Sequence, residues 1–246
     1  MKWSEAFCNT FKALCQTIEP EVRKKVDMML PSMPMVNACR ADEFDFFKPL
    51  LDSGDLTVDQ MHHACERYHL GKTKSGVPMF WMIDEMFQPH DAHIGDNWIS
   101  YYLKKREPLL DSWQVSRCLF GLHLLCVTNK PICVVESEQS AVILSEILPE
   151  SVWMAYVTLS NLTPDLLAPL QGRTVTIYPR TDPTQSTYLF FLDYADIVRH
   201  NYPTIQLHVE DVLENEATDE QKQRCIDLLD FLIEGHTDLT DCTDKK

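Results

Sequence analysis

The sequence predicts an α/β protein whose C-terminal half contains a parallel β-sheet with helices on both faces. From residue 131 onward, short apolar segments typical of buried strands alternate with longer segments that have helical spacing. Such alternation is typical of strand–helix–strand units, which form parallel sheets. The composition agrees with a folded chain, since 45% of the 246 residues are hydrophobic and only 7 are glycine.

The C-terminal domain is predicted to extend over residues 129–235 and to be followed by a flexible tail over residues 236–246. Its strands are predicted over residues 132–135, 152–157, 174–178 and 204–209. Its helices are predicted over residues 139–148, 187–200 and 219–232, with a short helix that begins at Thr163 and Pro164.

The N-terminal region, residues 1–70, is predicted to be helical. Apolar residues recur at helical spacing over residues 3–18, which favours an amphipathic helix, and a second helix is predicted over residues 21–30. A third helix is predicted to begin at Thr57 and Gln60, which have the spacing of a capping box, and to end before Gly71.

The middle region, residues 71–128, is predicted to be a small α+β region. The apolar run over residues 77–83 favours a strand, and the polar composition of residues 91–97 favours a loop.

The charge and the cysteines restrict the class of protein. With 22 Lys and Arg against 37 Asp and Glu, the net charge is −15. This charge argues against a protein whose main role is to coat nucleic acid. The N-terminus lacks the pattern of a signal peptide, and no apolar run reaches the roughly 18 residues of a membrane span. Nine cysteines without paired spacing favour a reducing environment. We therefore expect a cytoplasmic protein with no membrane partner.

Three predicted strands end in polar segments. Glu136 follows the first strand, residues 158–161 follow the second, and Arg180 and Asp182 follow the third. Because ligands of parallel α/β sheets bind at the carboxyl ends of strands, these segments are the candidate site.

The order of these segments resembles the toprim domain, a module of topoisomerases, bacterial and phage primases and some nucleases. The first toprim motif is similar to Val135-Glu136-Ser137 followed by Ser140-Ala141. The third toprim motif, Asp-x-Asp, corresponds to residues 180–182. The resemblance covers about two thirds of the chain and is strongest to toprim-like proteins of Bacteroidetes mobile elements. It implies that Glu136 is the catalytic acid or base and that Asp182 is a ligand of Mg²⁺.

Two differences from the toprim pattern predict that metal-dependent catalysis is lost. Arg180 stands at the first Asp of the motif, and an arginine cannot ligate a cation. Ser137 and Val157-Thr158-Leu159 replace glycine positions, so we expect the loss of positive φ at the second turn. We expect Arg180 to form an ion pair with Glu136 or Asp182, and no cofactor unless the site is active with Mg²⁺.

Two other clusters have competing interpretations. Lys104, Lys105 and Arg106, with Trp81 and neighbouring aromatic residues, are the best candidate for a nucleic-acid surface, although a second core is the favoured interpretation of the aromatic residues. The set His62, His63, Cys65 and His69 lies on a predicted helix with no partner motif for zinc. His123, near Cys126, is expected to be a core histidine.

The resemblance implies an accessory protein of DNA processing or mobilisation, related to primases, with DNA or a DNA-processing protein as its partner. One alternative is an active Mg²⁺-dependent primase- or nuclease-type enzyme in which Glu138, Asp193 or Asp196 replaces the missing ligand. A second alternative is an acidic protein-interaction module that does not bind nucleic acid.

Overall fold

The computed structural model describes residues 30–241, with side chains through residue 235. The predicted helix over residues 3–18 lies outside this range, as does the one over residues 21–30 except for its last residue. Within the described residues, no helix is both long enough and apolar enough to cross a membrane.

The described chain begins with three short helices, α1 (Met33–Ala38), α2 (Lys48–Ser53) and α3 (Val58–Arg67). The predicted capping box of α3 is confirmed. The Thr57 hydroxyl accepts a hydrogen bond from the Gln60 amide at 3.3 Å, and the Gln60 side chain accepts one from the Thr57 amide at 3.0 Å. Because two free N–H groups are satisfied reciprocally, this local sequence fixes the helix start.

An antiparallel sheet follows, with strands β1 (Gly71–Lys72), β2 (Pro78–Ile83), β3 (Pro89–Ile94) and β4 (Asn97–Trp98) in that spatial order. Helix α4 (Ile99–Arg106) packs on β3. Strand β2 is buried on both faces: Trp81 packs with Val36 of α1, whereas Phe80 and Met82 enter the main core. Burial on both faces explains the continuous apolar run of this strand.

The prediction of a polar loop over residues 91–97 is wrong, because β3 continues to Ile94. Asp91 is fully buried in this strand and its carboxylate is saturated with hydrogen bonds. One oxygen accepts from the amides of Ala92 (2.9 Å) and Ser100 (3.0 Å), and the other accepts from the Ser100 hydroxyl (2.7 Å) and Arg117 Nε (3.0 Å). The polar residue therefore joins β3 to the start of α4.

The second sheet is parallel and has the order β6-β5-β7-β8. Its strands are β5 (Ile132–Val135), β6 (Val152–Ala155), β7 (Thr174–Ile177) and β8 (Gln206–Val209). Every residue of β5 and β6 is buried, so both faces of the sheet are covered there. The predicted mixed α/β class with a parallel sheet is confirmed.

Helices connect the parallel strands. The main helices are α5 (Glu138–Ile147) and α6 (Ser186–Asn201), and a 3₁₀-helical segment spans Pro164–Leu170. Helix α5 packs on β5 and β6, and α6 packs on β8 and on the 3₁₀ segment.

The chain ends in three helices, α7 (Val212–Glu216), α8 (Asp219–Arg224) and α9 (Leu228–Asp241). The prediction of one helix over residues 219–232 is wrong, because Cys225 has a φ of 55° and interrupts it. The Ile226 carbonyl in this break accepts a hydrogen bond from the Thr181 amide at 3.0 Å. Helix α9 continues past residue 236, where the tail was predicted to begin.

Both edges of the parallel sheet are covered by other parts of the chain. At the outer edge of β6, Phe120 forms a two-way backbone bridge with Ala155. The next residue, Gly121, has a φ of 85°, and a Cβ there would lie 3.0 Å from the Trp153 carbonyl oxygen. At the other edge, the Arg199 guanidinium donates to the Leu207 carbonyl. Covered edges prevent sheet-to-sheet association.

Asp91→Asn is expected to lower the free energy of unfolding by about 2–4 kcal/mol, because the amide nitrogen cannot accept from Arg117 and Ser100. Urea denaturation measures the change. Asp96→Asn, at an exposed position of the adjacent turn, is the matched control and should change stability by less than about 0.5 kcal/mol. Equal stability of the two variants would contradict the role assigned to Asp91.

Candidate functional site

The candidate site lies where the strand order of the parallel sheet reverses. The chain passes from β5 to β6 on one side and then crosses to β7 on the other, so the carboxyl ends of β5 and β7 lie side by side. Glu136 follows β5 directly, and Arg180 and Asp182 follow β7. Open α/β sheets bind ligands at such reversal points.

Arg180 and Glu136 form the predicted ion pair. Arg180 Nε lies 3.3 Å from Glu136 Oε2, with side-chain exposures of 44% and 23%. Burial raises the pKa of Glu136, and Arg180 opposes that rise. The guanidinium therefore lies against the carboxylate that the toprim resemblance assigns to catalysis.

Asp182 faces the N-terminus of α6 and makes no ion pair with Arg180. Its carboxylate accepts hydrogen bonds from the Thr184 amide (2.9 Å) and hydroxyl (2.6 Å), from Ser186, and from the Thr187 amide (2.7 Å). Burial tends to raise the pKa of Asp182, but the bonds from Thr184 and Thr187 outweigh it and hold the pKa well below its usual range. Asp182 therefore caps the helix.

This arrangement does not fit a Mg²⁺ site. Hard cations require several free oxygen ligands, whereas Glu136 contacts a guanidinium and the oxygens of Asp182 are occupied by protein donors. Across residues 30–241, no three His, Cys, Asp or Glu side chains form a group that could hold a metal ion.

Sequence reasoning missed Tyr156, the residue that follows β6. Its ring packs against Phe191, and its side chain is almost fully buried, with 2% exposure. The hydroxyl interacts weakly with the Glu136 carboxylate, outside ordinary hydrogen-bond geometry. Burial raises the pKa of Tyr156, and the charge of Glu136 raises it further. The phenol is therefore neutral and lies next to the ion pair.

The expected loss of positive φ at the second turn is wrong. Val157 has a φ of 70°, and the Thr158 amide donates to the Tyr156 carbonyl at 2.9 Å, which closes a γ-turn. The Val157 amide donates to the Glu136 carbonyl at 3.0 Å. A β-branched residue rarely has this backbone conformation, so hydrogen bonding imposes it against the preference of the side chain.

A cleft of about 320 Å³ lies beside the ion pair, between the start of α5 and the start of α9. The Ser140 hydroxyl donates to Asp227, which also caps α9 by accepting from the Asp230 amide at 3.0 Å. Burial, together with the charge of Asp227, raises the pKa of Asp230. The two aspartates of the cleft, Asp227 and Asp230, therefore accept hydrogen bonds from neighbouring groups of the protein.

Glu138, one of the alternative metal ligands, is buried at the first position of α5. Its Oε1 lies 2.7 Å from His93 Nδ1, so it links the parallel sheet to β3. The other two alternatives, Asp193 and Asp196, are exposed on α6, and Asp196 pairs with Arg199 at 2.8 Å. These three residues do not complete a metal site.

Only part of the predicted nucleic-acid surface is exposed in the structure. Trp81 is fully buried, so the core interpretation is correct for this residue and its possible role in stacking on bases is wrong. Lys104, Lys105 and Arg106 form the last turn of α4, where Lys104 donates to the Trp113 carbonyl at 2.7 Å. Tyr101, 52% exposed, lies beside Lys105, so a basic surface with an exposed aromatic ring remains.

The histidines and Cys65 face different partners. His63 contacts Glu146 at 3.2 Å, His69 contacts Arg40 at 2.9 Å, and the buried Cys65 thiol lies 3.6 Å from the Asp42 carbonyl. His123 is a core histidine, as predicted, and burial lowers its pKa to about 4.

The fold and site define a mixed α/β protein with an arginine–glutamate pair at the reversal point of its parallel sheet. A family model described as a domain of unknown function (DUF6371) matches residues 45–181, more than half of the chain, and the chain belongs to this family. The matched range includes Glu136, Tyr156 and Arg180 and ends before Asp182. No curated protein matches the chain.

Asp182→Asn is expected to lower the free energy of unfolding by about 2 kcal/mol at neutral pH, because the charged cap of α6 is lost. The folded pKa of Asp182 is depressed, so its contribution is present above the unfolded pKa of about 3.9 and is lost as pH falls toward the folded value. Urea denaturation should therefore show a smaller difference from wild type at about pH 3 than at about pH 7.

The matched control for this change is Asp193→Asn, which alters an exposed carboxylate on the same helix. A gap between wild type and Asp182→Asn that widens on acidification would show that the cap is not the source of the stability.

Proposed function

We propose that this protein is an accessory factor of DNA processing or mobilisation that descends from a primase-type toprim domain and does not catalyse Mg²⁺-dependent phosphotransfer. The order of the motif-like segments supports this proposal, as does their position at the carboxyl ends of the parallel strands.

The observation that carries the proposal is the contact between Arg180 and Glu136. A divalent cation placed about 4 Å from the guanidinium would be repelled by about 8 kcal/mol at an effective dielectric constant of about 20. The remaining Asp-x-Asp residue, Asp182, is committed to α6. Both features oppose a bound metal, which favours the non-catalytic function over the active-enzyme alternative.

The surface formed by Lys104, Lys105, Arg106 and Tyr101 is the feature that favours nucleic acid as the partner. Basic side chains neutralise phosphates, and an exposed aromatic ring offers a stacking surface for bases. The second candidate function, an acidic protein-interaction module, is favoured by the net charge of −15.

Calorimetric titration with Mg²⁺ and Mn²⁺ tests the metal part of the proposal. Wild type should give no binding heat at millimolar metal, because the Arg180 guanidinium lies against Glu136 and repels a cation. Arg180→Asp should bind the metal if the strand-end scaffold is intact. Binding to wild type that is abolished in Glu136→Gln would instead show an active metal site.

Fluorescence anisotropy with labelled oligonucleotides tests the nucleic-acid part. We expect binding that weakens as salt rises, and the Lys104→Gln, Lys105→Gln, Arg106→Gln triple variant should bind at least about tenfold more weakly. A control in which exposed Lys48 and Lys74 are changed to Gln has nearly the same net charge. Absence of binding to wild type would favour the acidic interaction module.

A further inference from the structure

We propose that a groove on the antiparallel sheet binds a short acidic peptide of a partner protein, with an apolar side chain of the peptide seated on the groove floor. The groove lies between the turn that joins β1 to β2, the turn that joins β3 to β4, and α4, and we call it the hairpin groove. This inference goes beyond the proposed function, since it concerns another surface and another class of ligand.

The floor of the hairpin groove is apolar. Met79 and Ile94 lie opposite each other on β2 and β3, and both contribute to the small core that Trp81 forms with Val36 of α1. Helix α1 is only six residues long, and Val77, which continues the floor, is 36% exposed. The small core is therefore open to solvent at this end of the sheet.

The two turns form the rim of the groove. The Val77 amide donates to the Thr73 hydroxyl at 3.0 Å, and a Cβ added at Gly95 would lie 3.8 Å from Val77 Cγ1, so the turns lie side by side. The groove encloses about 750 Å³. Pockets for small ligands measure roughly 300–1,000 Å³, so this groove is suited to a few side chains of a short segment and not to a folded surface.

Positive charge is in excess at the rim. Lys74 lies on the turn between β1 and β2, Arg106 lies on the last turn of α4, and both side chains are exposed. Neither forms an ion pair with a residue in the part of the chain that the structure describes. The lining contains one carboxylate, that of Asp96. In a chain with a net charge of −15, this local excess favours an acidic ligand.

Helix α4 supplies an aromatic wall. Ile99, Tyr102 and Arg106 have the spacing of one helix face and line the groove, and Tyr102 is 46% exposed. Tyrosine and arginine are enriched among the residues that contribute most to protein–protein binding. Nucleic-acid surfaces are more polar and more strongly positive than this aliphatic floor with its two cations, so the composition favours a peptide over a strand of nucleic acid.

Selection from a random peptide library displayed on phage, against the immobilised full-length protein, tests the proposal. The enriched peptides should carry Asp or Glu beside an aromatic or branched apolar residue. Enrichment should be lost on Val77→Glu, which places a carboxylate on the floor. The proposal is overturned by a lack of enriched peptides, by enrichment of neutral or basic sequences, or by enrichment that persists in Val77→Glu.

Fluorescence anisotropy of one enriched, labelled peptide measures the contribution of each residue. Val77→Glu should bind at least about tenfold more weakly. Lys74→Gln should bind about threefold more weakly, and this difference should vanish at high salt. Asp96→Asn should bind about threefold more tightly, because a repulsive charge is removed. Damage to the fold cannot produce this gain in affinity, so an unchanged or weaker affinity of Asp96→Asn contradicts the charge argument.

The matched controls change the same residue types away from the groove. Val58→Glu alters a valine that is 53% exposed at the start of α3, and Lys48→Gln alters an exposed lysine at the start of α2. Both variants should bind the peptide as wild type does. Equal losses in the controls and in the groove variants would show unspecific charge attraction and would overturn the site.

Two other protein occupants of the hairpin groove give different results. If the predicted helix over residues 3–18 fills the groove, Phe7→Glu in the full chain should raise the affinity for the peptide at least about tenfold. If a second copy of the chain fills it, sedimentation velocity should show a dimer that Val77→Glu dissociates. Either result overturns the choice of a partner peptide.

The outcomes also separate this inference from the proposed function. Val77, Lys74 and Asp96 lie outside the basic surface at the end of α4, which the oligonucleotide experiment tests. Oligonucleotide binding that is weakened by Val77→Glu and competes with the peptide would make the groove a nucleic-acid site and overturn the peptide proposal alone. Peptide binding as expected, without any oligonucleotide binding, would contradict the proposed function alone.

Discussion

The carbonyl groups at the end of β5 and of the residue that follows it fix the geometry of the strand-end site. The Val134 carbonyl accepts from the Tyr178 amide at 2.9 Å, the Val135 carbonyl accepts from the Tyr156 amide at 3.1 Å, and the Glu136 carbonyl accepts from Val157. The two neighbouring strands are thereby positioned against one central strand that is buried on both faces. Buried backbone groups must be paired, so this register is strongly constrained. The side chains that follow the strands are placed by that constraint and not by their own contacts.

The carboxylates around this edge share one property, which is that the protein itself supplies their partners. Arg180 contacts Glu136, the start of α6 binds Asp182, Ser140 donates to Asp227, and His93 contacts Glu138. In a metal site, such oxygens would be stabilised by the cation, and the apoprotein would carry their mutual repulsion. Here protein groups are the partners of these oxygens, and the repulsion that remains is the charge of Asp227 acting on Glu136 and Asp230, whose pKa values burial and this charge both raise. The buried Tyr156 hydroxyl adds a further interaction to Glu136.

Sequence reasoning succeeded where one local signal dominates. The apolar run of β5, the capping box before α3 and the opposite charges of Arg180 and Glu136 were each sufficient for a correct prediction. It failed where a distant partner decides the outcome. Sequence reasoning placed Asp91 in a polar loop. Its buried position depends on Arg117, which lies 26 positions away in the chain and so cannot be recognised as its partner from the local sequence. The break at Cys225 is accompanied by a hydrogen bond from the distant Thr181 amide to the Ile226 carbonyl. The position of the Tyr156 hydroxyl beside Glu136 has no sequence signature, since the same residue suits any aromatic core.

The γ-turn at Val157 shows that the conformation of this loop belongs to the sheet and not to the residue that occupies it. The amides of Val157 and Thr158 are held by the carbonyls of Glu136 and Tyr156, the residues that directly follow β5 and β6, so the backbone adopts a positive φ even with a branched side chain. A turn of this kind tolerates exchange, because glycine or asparagine adopts the same angles with less strain. Replacing Val157 by glycine should therefore leave the register of β5 and β6 unchanged, because the amides that hold it belong to the backbone.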